Sequence, residues 1–152
     1  MCASDSIKEI ISNTEINYLP DFFELYNVPW AISSSAKEKI MDFYCSPRDW
    51  HKKDLLLPVK NLIIANGFIV PDKSYLYEQN CRAKTIKISY GDTEYIHILE
   101  DTPNFQVVSL PRAFIPNEKN KVKLEILDWY GGTKYDDIVI SAIFFPYTLI
   151  KN

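Results

Sequence analysis

The segment from Trp129 to Ser141 carries the side chains best suited to binding chemistry. It reads WYGGTKYDDIVIS and places aromatic rings, a Lys and two Asp residues beside a Gly pair, directly ahead of an apolar run. Flat rings can stack on the apolar face of a pyranose, and carboxylates and an ammonium can bind its hydroxyls. Gly131 and Gly132 are expected to adopt backbone angles closed to other residues and so to shape a loop. The segment predicts a sugar-binding rim next to a core strand.

Within this rim, Trp129 and Tyr130 are the predicted stacking rings, while Lys134 and Asp137 are the predicted hydrogen-bonding groups. Tyr135 suits packing as well as binding, because it stands between two charged residues. These groups would bind a ligand without reacting with it.

The two acidic residues of the rim, Asp136 and Asp137, are adjacent and enter a strand, so their side chains should point to opposite faces. This spacing argues against a glycosidase-type acid pair. One of the two is expected to cap the loop, to pair with Lys134 or, in bidentate form, to pair with Arg82. The chain also lacks a Gly-x-Ser-x-Gly elbow and a phosphate-binding Gly loop. We therefore expect no enzymatic activity.

A second group of candidates precedes the Ala83 strand. Tyr75 and Tyr77 form an aromatic loop, and Asn80 and Arg82, two residues apart, should share one face of the strand that follows. Their amide and guanidinium groups could bind vicinal sugar hydroxyls or a carboxylated sugar, or could equally fasten the loop to the strand.

The composition limits the other classes of function. A chain of 152 residues, 47% hydrophobic, can bury the core of one domain. Its 17 basic and 20 acidic residues give a net charge of −3 without a long basic cluster, which argues against nucleic acid as a partner. No apolar run is long enough to span a bilayer.

The three cysteines leave several readings open. Cys2, near the start, would suit the lipid anchor of a lipoprotein whose signal peptide was replaced by Met, or is incidental. Cys45 and Cys81 could form one disulfide or remain thiols, and three cysteines are too few for a zinc site. His51 and His97 lie far apart in sequence with no third ligand, so no metal is predicted, and His97 is expected to be a partly buried packing residue.

Elements change character along the chain. Capping-box patterns predict short helices near the N-terminus, beginning at Ser6, Asp21 and Ser35. After Asp54, short alternating runs predict the strands of an antiparallel sandwich. These strands are Asn61–Asn66, Ala83–Tyr90, Glu94–Leu99, Phe105–Leu110, Lys121–Leu127 and Ile138–Phe145, with a hairpin turn over Tyr90–Thr93.

Several of these segments resemble a known family. The family is a bacterial discoidin-like domain, the glycan-binding translocation type attached to NAD glycohydrolases. The segments that resemble it are, in order, Ala31–Ser35, Trp50, Leu62–Phe68, Asn80–Lys84 and, most specifically, Tyr130–Ile143. The resemblance covers roughly residues 28–145. It implies an all-β, jelly-roll or discoidin-like antiparallel β-sandwich, which we place over 28–152. Residues 1–27 fall outside the resemblance, and their capping boxes and apolar stripes predict a helical extension packed on the sandwich.

The chain departs from the family pattern at three places. Gly131 stands where the family tends to have Pro, and Ala142 where it tends to have Glu. The Asp-Gly that commonly precedes the Trp of the opening strand is missing ahead of Trp50, which argues against the calcium ion that such sandwiches sometimes hold. No cofactor is therefore expected.

These observations predict a non-catalytic glycan-binding module of a bacterial surface or secreted protein. The alternative is a structural or protein-interaction sandwich that has lost its sugar site, which the missing carboxylate at Ala142 favours.

Overall fold

The computed structural model describes residues 2–3, 5–18, 28–43, 58–115 and 119–145. Within these ranges the chain is built almost entirely of strands, with one short helix. The elements are β1 (Cys2–Ala3), β2 (Lys8–Ile11), β3 (Thr14–Asn17), β4 (Trp30–Ser33), β5 (Ile40–Phe43), β6 (Val59–Asn66), α1 (Tyr75–Gln79), β7 (Cys81–Tyr90), β8 (Thr93–Ile98), β9 (Gln106–Phe114), β10 (Val122–Tyr130) and β11 (Asp137–Phe144).

The main sheet has the strand order β1-β5-β10-β7-β11-β6-β9, with β8 on β7 and β4 on β11. All of these pairs are antiparallel except β7 with β11, whose parallel pairing is short and joins two antiparallel halves. The halves enclose one apolar core. The predicted all-β, discoidin-like sandwich is confirmed.

The core is filled by alternate residues of the strands. Ile86 and Ile88 of β7 are fully buried, as are Leu62 and Ile64 of β6, while the residues between them are more exposed. This period of two is the pattern of a strand with one face on the core. Each such side chain contributes about 1.5–3 kcal/mol on burial.

The six strands predicted after Asp54 all form, with ends shifted by a few residues. The hairpin turn between β7 and β8 is also confirmed, because Tyr90 pairs with Thr93 across Gly91, whose φ is 53°. A positive φ at this position is readily adopted by glycine.

Two of the predicted N-terminal helices are wrong. The one beginning at Ser6 is replaced by the hairpin β2–β3, turning at Ser12 and Asn13 with φ of 51° and 63°. Two positive φ values suit a tight hairpin, and the Ile-rich flanks favour strands over a helix. The one beginning at Ser35 is a turn followed by β5, whose Met41 and Phe43 point inward. The helix predicted at Asp21 lies outside the described residues.

The N-terminal segment contacts the sandwich through its backbone. Ile7 N–H donates to Ala31 O at 2.8 Å, and Ala31 N–H donates to Tyr18 O at 3.0 Å. The side chain of Trp30 adds a bond from its Nε1 to Asp5 O at 3.1 Å. Residues 5–18 thus attach as extended chain, whereas the domain boundary at residue 28 stays a prediction.

Helix α1 replaces the aromatic loop predicted around Tyr75. The loop between β10 and β11 bonds to its end: Thr133 N–H donates to Glu78 O at 3.0 Å, and Lys134 and Tyr135 N–H donate to Gln79 O at 3.1 and 2.8 Å. These bonds satisfy carbonyls that the last turn of a helix leaves without partners. They fix α1 against the end of the sheet.

Candidate functional site

A cleft of about 810 Å³ lies beside α1. Its walls come from the segment after β6, from α1 and from the turn after β8. We call it the helix cleft, and its lining residues are Phe68, Ile69, Val70, Pro71, Ser74, Tyr75, Tyr77, Glu78, Arg82, Asp101 and Pro103. Rings and carboxylates therefore face one concavity.

One wall of the helix cleft is built on an ion pair between buried Arg82 and the more exposed Asp101. Arg82, only 8% exposed, donates from Nε to Asp101 Oδ1 at 2.9 Å and from Nη2 to Asp101 Oδ2 at 2.6 Å. Its Nη1 donates to the carbonyls of Asn80 and Gly131 at 2.9 and 2.8 Å. We call these contacts the Arg82 network. It joins β7, the turn after β8 and the β10–β11 loop.

The ion pair shifts the pKa values of both of its members. Hydrogen bonds from the Arg82 guanidinium hold the pKa of Asp101 below its ordinary value, and the Asp101 carboxylate raises the pKa of Arg82. Both groups are therefore charged at neutral pH, and their charges cancel locally.

Tyr77 is part of the same network. Its hydroxyl donates to Asp101 Oδ1 at 2.9 Å, and the Arg82 guanidinium lies 5.2 Å from its ring centroid. Burial, then the Asp101 hydrogen bond, raises the pKa of the phenol. The ring also packs so closely on Gly67 that a Cβ there would lie 2.5 Å from it.

Because Tyr77 is held in place by packing, Tyr75 is the ring most available to a ligand. It is 53% exposed and lies on the same short helix. Phe68, half-buried, contributes a third ring to the lining and meets the Tyr18 ring edge-on, with 6.2 Å between the centroids.

Trp129 and Tyr130 do not form the predicted loop platform. Both belong to β10, paired with Ala83 and Arg82, and consecutive strand residues point to opposite faces. Trp129 packs against the core beneath the Lys39 ammonium, 5.0 Å from its ring centroid. Tyr130 donates its hydroxyl to Leu99 O at 2.9 Å. Both rings are half-buried, which contradicts an outward-facing pair on one rim.

The other predicted polar groups lie outside the helix cleft, and two of them, Asn80 and Asp137, line a second cavity. Asn80 is buried and donates its amide to Leu76 O at 2.8 Å, which ends α1. Lys134 is exposed and lies over the Tyr135 ring, 4.9 Å from its centroid. Of the eight predicted site residues, the helix cleft brings together three, which are Tyr75, Tyr77 and Arg82.

Arg82 forms a bidentate pair, but the prediction that its partner is Asp136 or Asp137 is wrong, because the partner is Asp101. Asp136 is exposed and Asp137 half-buried, in keeping with the prediction that the two point to different faces. The chemistry of the pair was predictable from Arg82, whereas its partner depends on how the turn after β8 folds back on β7.

The glycine pair acts differently from the prediction. Among the described residues, the glycines with positive φ are Gly67 and Gly91, so neither Gly131 nor Gly132 needs a left-handed backbone. A Cβ on Gly132 would lie 2.5 Å from Gln79 O, whereas one on Gly131 would meet nothing within 4 Å. Gly132 is required for close approach of the loop to α1.

The described cysteine and histidine side chains that the sequence analysis singled out are Cys81 and His97, while His51 lies outside the described residues. Cys81 carries a free, buried thiol that accepts the Gly132 N–H at 3.2 Å, and burial raises its pKa. Cys45 lies outside the described residues. His97 is half-buried with its pKa lowered by burial, as expected of a packing residue. Among the described residues, no three His, Cys, Asp or Glu side chains are grouped as metal ligands would be.

A second cavity, of about 220 Å³, holds Asp137. It lies between the N-terminal hairpin and β11, where Glu9, Tyr18 and Lys73 also line it. The pKa of Asp137 is raised by burial first, then by the negative charges of Glu9 and Asp136. The charged form of Asp137 therefore destabilises the folded state at neutral pH.

Asp137→Asn is expected to raise the melting temperature at pH 7. Because the folded state binds the Asp137 proton more tightly than the unfolded state, the wild-type protein regains this stability as pH falls through the raised pKa toward the ordinary value of 3.8. The difference in melting temperature between the variant and the wild type should thus be largest at pH 7 and smaller at about pH 4. Thermal unfolding at both pH values measures the change in melting temperature. Asp92→Asn, in the exposed β7–β8 turn, is the control. An equal change in melting temperature for both variants would contradict the explanation.

Several lining residues of the helix cleft were missed from the sequence, and three of them have rings or carboxylates that could bind a ligand. Asp101 and Phe68 come from connecting segments, and Glu78 follows the two Tyr residues on α1. Glu78 could have been found from the sequence signal of α1. Ser74 followed by Glu78 is the pattern of a helix that begins at Ser74 and has an acidic residue in its first turn.

The fold and the cleft together define a discoidin-like sandwich module with a ligand-sized concavity. Residues 52–146 match the NAD glycohydrolase translocation F5/8 type C domain family, and the chain belongs to it. The match begins later than the resemblance over residues 28–145 predicted. Neither the curated proteins nor the solved structures include a match to the chain. Within the described residues no helix is long and apolar enough to cross a membrane.

Proposed function

We propose that this domain is a non-catalytic glycan-binding module and that the helix cleft is its binding site. The observation that carries the proposal is the exposed Tyr75 ring beside the Glu78 carboxylate in a cleft of about 810 Å³, a volume that suits one or two sugar rings. The ring would stack on a pyranose face, and the carboxylate would accept hydrogen bonds from sugar hydroxyls.

Rigidity supports the same proposal. The Arg82 network and the three backbone bonds that the β10–β11 loop donates to α1 hold the cleft walls in place before a ligand arrives. A preformed site loses less conformational entropy on binding. The proposed setting is a surface or secreted bacterial protein, in keeping with the translocation family.

Tyr75→Ala is expected to weaken binding of a glycan about 2- to 12-fold, since stacking on an aromatic ring is worth about 0.5–1.5 kcal/mol beyond burial. A glycan array followed by calorimetry on the best ligand measures the change. Tyr135→Ala is the matched control, because Tyr135 is 39% exposed but lies outside the helix cleft. Equal binding by Tyr75→Ala and wild type would show that the glycan does not bind in the helix cleft.

A second candidate function is docking to another protein domain. Ile96 and Ile98, which are 59% and 64% exposed, point outward from β8, a strand that pairs with β7 alone in the described structure. Ile96 lies opposite Lys87, whose ammonium pairs with Glu125 at 2.6 Å. Ile96→Ser with Ile98→Ser should leave glycan binding intact if only this second function uses that face.

A further inference from the structure

The charges around the helix cleft indicate which sugars it would accept. Arg82 is the only cationic side chain among the lining residues that the structure describes, and its guanidinium forms the bidentate pair with Asp101. Four of its five N–H groups are used within the protein, two by the carboxylate and one each by the carbonyls of Asn80 and Gly131. It has little left to offer a ligand carboxylate.

Among the lining residues of the helix cleft the remaining charge is negative, while the Lys134 ammonium, which interacts with Tyr75, is not one of them. Once Arg82 and Asp101 cancel, Glu78 is left as an exposed carboxylate on the wall formed by α1. The Tyr77 hydroxyl also donates to Asp101, so this donor is already engaged. A ligand carboxylate would therefore meet a like charge and would lose water without gaining a strong donor.

We infer that the helix cleft selects uncharged pyranoses, such as hexoses and N-acetylhexosamines, over uronic and sialic acids. This inference rests on the proposed function and adds its ligand class. The selectivity arises because the acidic sugar binds more weakly: Glu78 repels its carboxylate, and Arg82, already paired with Asp101, does not bind it. The alternative that Arg82 recognises a carboxylated sugar does not fit its contacts.

Matched sugar pairs test the inference directly. Galactose and galacturonic acid differ by oxidation of the primary hydroxyl to a carboxylate, and lactose and sialyllactose differ by one acidic residue. We expect the acidic member of each pair to bind about 10-fold more weakly at low salt, with a smaller difference at high salt. Calorimetry or ligand-detected NMR measures both members under the same conditions.

Glu78→Gln is expected to reduce the difference in affinity between the neutral and the acidic sugar of each pair to about twofold. The substitution removes the like charge and keeps the shape of the side chain. Asp92→Asn, at the opposite end of β7, removes one negative charge outside the cleft and should leave the difference unchanged. Asp101→Asn should go further and favour the acidic sugar, since it leaves the Arg82 charge without its counter-ion. Circular dichroism confirms that each variant is folded, and Glu78→Gln carries the test if Asp101→Asn is not.

The outcomes separate the two proposals. Acidic sugars that bind as tightly as their neutral partners would overturn the selection and leave glycan binding standing. A preference for neutral sugars that Glu78→Gln does not reduce would overturn the charge mechanism. No binding of galactose, lactose or their acidic counterparts by folded protein would overturn the proposed function, and the selection with it.

Discussion

Replacing Arg82 with methionine is expected to lower the free energy of unfolding by about 2–4 kcal/mol. Methionine keeps much of the packing of the arginine stem but removes the guanidinium. The carboxylate of Asp101 then loses its bidentate partner, and the carbonyls of Asn80 and Gly131 lose their donor. The effect lies below that of a fully buried pair because the Asp101 side chain is 37% exposed and can be hydrated.

Urea unfolding measures the Arg82→Met effect, and Lys84→Met is its control. Lys84 pairs with Asp128 at 3.2 Å, but the two side chains are 41% and 52% exposed. Such a solvent-screened surface pair should contribute far less to stability than the Arg82 network. Equal losses for the two variants would show that the Arg82 network does not hold the cleft together.

Gly132→Ala is expected to destabilise the domain by about 2–3 kcal/mol, because it overpacks a site closed by backbone atoms. The new Cβ would lie 2.5 Å from Gln79 O and 2.6 Å from Tyr135 O, and neither atom belongs to a side chain that could rotate away. Relief requires the β10–β11 loop to move off α1, which would also break the hydrogen bonds to Gln79 O.

The neighbouring glycine supplies the control for that substitution. A Cβ on Gly131 would have no heavy atom within 4 Å, so Gly131→Ala should change stability by no more than about 0.5 kcal/mol. Thermal unfolding of both variants measures the difference. If Gly131→Ala were the more damaging of the two, backbone conformation and not close approach would explain why glycine stands here.

The strands of the sandwich were predictable because each carries its own signal. Val122, Leu124 and Ile126 alternate with polar residues, and this period fixes both the strand and the face that it buries. The family resemblance rested on the β10–β11 segment and led to the same fold. These features are local in sequence.

The composition of the site was less predictable because it depends on contacts between distant segments. Arg82 and Asp101 are 19 residues apart and meet only when the turn after β8 folds back on β7. Trp129 and Tyr130 have the right chemistry for a sugar, but β10 continues through both, so their rings turn to opposite sides. Helix α1 has only five residues, too few for a clear helical period.

The helix cleft as the sugar site is the central proposal, and amide chemical-shift mapping tests it most directly. Isotope-labelled protein would be titrated with galactose, N-acetylglucosamine and lactose. We predict saturable shifts that are largest in α1 and in the segment 68–71, with smaller changes along β10. Shifts confined to residues 131–137, or no saturable shift with any of the three sugars, would contradict the account.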